Sequence, residues 1–236
     1  MCSPQRVLTI SRISCRIEPF IYKRLSFVST FGNADPVPRF LATIDSRPSK
    51  FFAVHVKHLY FDHTMPLYFV RKVLSVCTGV VVLGCPHSYR SLAPLIAPLP
   101  LQRFLVRELT LPSAPKALPR WTASLTHLGV SGSTYIDAHA YAALPTLIHL
   151  AVDAHCYAVS YVSPARILYA CPRGRCLIAV TQNESESRSL LEHLHAEGFT
   201  DPRCYVHLRA RLDGTWDGWS RRLPDMFWVT ENCFCS

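Results

Sequence analysis

LTHLGV (Leu125–Val130) and LIHLAV (Leu147–Val152) are one phrase written twice in close succession. Upstream the phrase returns as LQRFLV at Leu101, VVVLGC at Val80 and VKHLYF at Val56, at a nearly even spacing. Weaker echoes follow as RCLIAV at Arg175 and YVHLRA at Tyr205, after longer gaps. The five clear copies are all apolar in slots one, four and six. Slots three to six therefore predict a short strand, with four and six turned to a core and three and five turned outward.

The segments between the hexamers predict short helices. Pro66 precedes Val70, Val73, Leu74 and Cys77, apolar at spacings of three and four, and Gly79 closes the segment. Similar patterns follow Asp137 and Ser163, both suited to cap a helix start, and another runs from Glu186 to Ala196 before Gly198. A strand and a helix recurring every roughly 20–29 residues is the leucine-rich-repeat arrangement, in which stacking buries what no single unit can. The expectation is an α/β fold in the form of an irregular leucine-rich-repeat-like solenoid. It would occupy residues 51–236 with a C-terminal cap, after a short helical segment and linker in residues 1–50. The competing arrangement is an ordinary α/β domain with parallel strands, which also alternates strand and helix but requires no recurring hexamer.

Composition narrows the function. Apolar residues make up 49% and charged residues 17% of the 236, which predicts a folded chain. The net charge of +9 is spread from Arg6 to Arg222, with no arginine run longer than Arg221-Arg222. A nucleic-acid surface clusters its charge, so no nucleic-acid partner is expected. The longest apolar run, Val76 to Cys85, is too short to span a bilayer and predicts no membrane partner. Ten cysteines contain no C-x-x-C pair, which predicts free thiols in the cytoplasm or nucleus. The basic, serine-containing stretch from Met1 to Phe31 carries a transit-peptide-like composition. The ending Cys233-Phe234-Cys235-Ser236 has the form of a prenylation box, without aliphatic middle residues.

Three segments together resemble the F-box and leucine-rich-repeat proteins abundant in mushroom-forming fungi. They are RISCRIEPFIYKRLSFV over residues 12–28, the Leu-x-His-Leu hexamers, and the tail from Asp201-Pro202-Arg203 through Trp216, Trp219 and Trp228. The resemblance makes residues 1–50 the end of an F-box plus linker. It implies a protein-binding adaptor, in the family's case a substrate adaptor of a ubiquitin ligase. Two departures stand out. The front of the F-box is missing before Ser11, which argues against docking of a Skp-type linker. The asparagine that ties neighbouring turns of such repeats is replaced by Thr64, Ser88, Leu109, Ser133 and His155.

The eleven histidines are the first place to look for chemistry. His58, His127, His149 and His207 fall in slot three, with Val82 and Arg103 in the same row. An outward row around His58, Arg103, His127 and His149 is the candidate surface for a protein partner of unidentified sequence, and its ordinary explanation is a solvated polar face. Paired imidazoles at His127 and His149 would charge and repel below about pH 6. Two imidazoles fall short of the three protein ligands of a catalytic zinc, so no metal and no cofactor are expected. Gly129-Val130-Ser131-Gly132 lacks the nucleophile-elbow spacing, and the phosphate-binding glycine loops are absent, so no catalytic residue is assigned. Trp216, Trp219 and Trp228 suit either a contact surface or the cover of the open end. The alternatives to a non-enzymatic recognition domain are a hydrolase-type α/β enzyme and a truncated gene product without a role.

Overall fold

The computed structural model describes residues 18, 20–27, 36–109, 118–130, 141, 144–153, 167–169, 171, 173–174, 176–181 and 184–208. The strands are β1 (Arg24–Phe27), β2 (His58–Phe61), β3 (Val82–Cys85), β4 (Arg103–Val106), β5 (His127–Val130), β6 (His149–Asp153), β7 (Cys176–Thr181) and β8 (Cys204–Leu208). Helices α1 (Pro36–Ser46) and α2 (Ser49–His55) follow β1, α3 (Leu67–Val76) follows β2, and α4 (Tyr89–Ile96) follows β3. A 3-10 turn (Arg120–Ala123) precedes β5, and α5 (Glu184–Ala196) joins β7 to β8.

All eight strands are parallel and lie side by side in the order of the sequence. One backbone bond recurs at the entry to successive strands. The N–H of His58 donates to Lys23, Val82 to Lys57, Arg103 to Val81, His127 to Gln102 and His149 to Thr126, all at 3.0–3.1 Å. Each strand is thus anchored to the residue preceding its neighbour's first register partner. β1 and α1 lie before residue 51, and α2 runs across it.

The leucine-rich-repeat-like solenoid expected from the hexamers is corrected to an α/β fold with a single all-parallel sheet and helices. The connections supply the physical reason. They are unlike one another: a ten-residue helix, an eight-residue helix containing Pro94, and a four-residue 3-10 turn. Side chains that link successive units, Ser124 Oγ donating to the Leu101 carbonyl and Thr146 Oγ1 to the Leu125 carbonyl, stand ahead of the strands rather than at the asparagine position. Asp62, just past β2, spends its Oδ1 within its own loop, accepting from Thr64 N at 2.8 Å and Met65 N at 3.1 Å.

The slots sort as the alternation requires. Leu59, Leu83, Phe104, Leu128 and Leu150 fill slot four and join the main core, as do Phe61, Cys85, Val106, Val130 and Val152 in slot six. Phe27 stacks on Phe61 at 5.6 Å and meets Phe40 and Phe69 edge-on at 4.8 and 4.9 Å. Further along, Trp121 packs edge-on against Tyr89 and Phe104. Such aromatic pairs add to plain area burial. The expected helix after Asp137, the cap at Ser163 and the tryptophan tail lie outside the described residues. So do residues 12–17, the start of the F-box-like segment.

Candidate functional site: a basic and imidazole row across the sheet

Pairing register brings one residue from each of seven strands into a line: Arg24, His58, Val82, Arg103, His127, His149 and Cys176. Neighbours in such a line are ~4.8 Å apart. His58, Arg103, His127 and His149 all stand where slot three places them. His207 does not. Leu177 pairs with Cys204, so the chain entering β8 reaches this row at Arg203, and His207 sits opposite Val180, two alternate positions further along. The echoes at Arg175 and Tyr205 are each out of step with the true strands.

The hexamers also miss the first and last members of the row. Tyr22-Lys23-Arg24-Leu25-Ser26-Phe27 carries the same apolar slots one, four and six, well ahead of VKHLYF. Its signal is present in the sequence but absorbed by the likeness to an F-box end. Cys176 is missed because its hexamer, begun at Arg175, is set one position late.

Burial differs along the row. Arg24 is exposed, and His58 and Arg103 are half-buried, whereas His127 and His149 are only 6% and 5% exposed. The adjoining outward positions Tyr60, Leu105 and Ala151 are buried too, as is Val82, yet none of these joins the main core. The outer face therefore has its own apolar lining. Within it, Gly84 lies under Tyr60: a Cβ there would stand 2.6 Å from the ring.

The His127 and His149 rings stack at 4.4 Å with their planes 18° apart. The Thr126 hydroxyl donates to the Gln102 carbonyl at 3.0 Å and lies 2.8 Å from His127 Nδ1. A hydroxyl carries one proton, so that donation leaves Oγ1 to accept from Nδ1–H, which fixes the neutral imidazole tautomer. Burial first, then His149 and Arg103, push the His127 pKa down to about 3. His58 is also held below its ordinary value, by burial and then by Arg24, Arg103 and Lys23. Elsewhere, His87 Nε2 is 2.9 Å from the Met65 carbonyl, and burial lowers its pKa.

Parallel stacked rings direct their lone pairs side by side rather than toward one point. Among the described residues, no group of three or more His, Cys, Asp or Glu is placed to hold a metal ion. No helix among them is long and apolar enough to cross a membrane. The arrangement can stack, donate and accept hydrogen bonds, and attract negative charge. Comparison with protein-family models, curated proteins and solved structures found no match.

Proposed function

We propose that the chain is a non-enzymatic protein-recognition domain that seats a partner on the outer sheet face around His58, Arg103, His127 and His149. The observation that carries the reading is the in-register row of basic and imidazole side chains, interrupted at Val82. It is set beside apolar positions that do not belong to the core. Polar side chains aligned over several strands serve recognition better than they serve packing. The unreversed strand order also favours it, because α/β enzymes collect their ligands in the crevice where strand order reverses. The likeness to F-box proteins gives the reading a specific form, a substrate adaptor of a ubiquitin ligase in the cytoplasm or nucleus.

The test is affinity capture from cells with the wild-type chain and with a His58→Glu/Arg103→Glu variant, both half-buried positions, followed by mass spectrometry. Proteins recovered by the wild type and lost by a variant of unchanged circular dichroism support the reading. Identical recoveries overturn it. Co-recovery of a Skp-type linker would place the chain in a ligase.

A further inference from the structure

We infer that the β1 end of this row receives a carboxylate of an acidic, partly apolar segment of the partner protein, held between Arg24 and His58. The inference rests on the reading of the outer face as a recognition surface and names the chemistry of its occupant.

Arg24 and His58 are direct register partners on β1 and β2, so their side chains leave the same face one strand apart. One carboxylate can bridge that gap, giving an oxygen to each in charge-assisted hydrogen bonds. His58 Nδ1 is buried and has no hydrogen-bond partner among the described residues. Buried ring nitrogens ordinarily have one, so the half-buried His58 ring gains a missing bond if it turns to present a nitrogen to an arriving oxygen. The charges acting on His58 are Arg24, Arg103 and Lys23, every one of them cationic. Among the described residues, neither Lys23 nor Arg24 takes part in an ion pair. The positive charge of exposed Lys23 and Arg24 is complementary to an acidic partner.

Access separates this end from the rest. Lys23, Arg24 and Ser26 are exposed, while His127 and His149 are closed off. Just before Lys23, Phe20 and Ile21 are 78% and 62% exposed. Large apolar side chains this open, beside a cationic cluster, match an occupant that pairs its acid with an apolar neighbour.

A displayed library of random peptides, panned against the full chain, tests the inference. Clones are then rescreened on Arg24→Glu, on the milder Arg24→Gln, and on Arg103→Glu, all with unchanged thermal melts. The expected clones carry Asp or Glu next to an apolar residue. As labelled synthetic peptides they should weaken about tenfold or more on Arg24→Glu, and again when salt rises several-fold. Their Lys-for-Glu versions should not bind. Clones without acid that ignore Arg24 but are lost on Arg103→Glu would overturn the carboxylate site and leave the recognition face standing. Clones indifferent to all three variants would overturn both. A short uridine RNA that displaces the acidic peptides at lower concentration than they displace one another would overturn the site in favour of nucleic acid.

Discussion

His127 is neutral at physiological pH because its surroundings leave no room for its charge. Unfolded, the imidazole titrates near 6.5; folded, it does so only at about 3. Between those values the unfolded chain binds more protons, so stability falls as pH drops through 6.5 and the loss levels off below 3. The repulsion expected between two charged imidazoles below pH 6 therefore does not describe His127, since in that range the folded ring stays uncharged and the fold weakens instead. Urea unfolding between pH 7.5 and 4 should show this as a loss of up to about 1.4 kcal/mol per pH unit from this residue. His127→Asn keeps an N–H for Thr126 and should remove that share of the slope; parallel wild-type and variant slopes would contradict the assignment. Gly79 makes a second demand at this scale. A Cβ there would collide with the backbone carbonyl of Ala53 in α2, and backbone cannot swing aside as a side chain can. Gly79→Ala should destabilise by about 1–3 kcal/mol in the same urea assay.

Helices and turns show which local rules can be read in advance. α3 obeys its sequence: Pro66 stands at its start, and Val70, Val73 and Leu74 are buried with Phe69. α5 ends as expected at Gly198, whose φ of 68° suits a residue without a Cβ, and Phe199 N–H reaches back to Leu194 O at 2.9 Å. α1 and α2 are not legible while the F-box likeness makes residues 1–50 a remnant and linker. The misplaced echo at Arg175 has a different cause. An almost unbroken apolar strand such as Cys176–Thr181 reads nearly as well one position out of step, and only pairing with its neighbours fixes the register. The 3-10 turn before β5 gives no periodic signal at all, yet it carries Trp121, fully buried against Tyr89 and Phe104. Trp121→Ala should reduce stability by about 3–5 kcal/mol, and Trp121→Phe by less. Equal losses from the two variants would show that ring packing is not what the turn contributes.

Across the whole molecule, the recurring hexamer reveals the parallel strands, their sequential neighbours and most of the row, because alternation and spacing follow directly from side-chain chemistry. It does not reveal that the connections are too dissimilar to form a solenoid, since that depends on how each link packs. Nor does it reveal how deeply the row is buried at His127 and His149. Buried thiols offer a global readout of that packing. Cys77 and Cys85 are pushed up to about 12 and Cys171 to about 11 by burial. At pH 8 all three should alkylate at least about a hundredfold more slowly than in urea, as thiolate supply and access both fail in the native state. Mass spectrometry of partly labelled protein should find them modified together; independent labelling of Cys171 would mean that its end of the sheet opens alone.

The pairing of every strand with its immediate predecessor also bears on synthesis. No register partners are further apart along the chain than Arg24 and His58, and later pairs such as Val82 with Arg103 are closer still. Each new strand leaving a ribosome meets a template already made, so the sheet can lengthen from its β1 side without waiting for the carboxyl terminus.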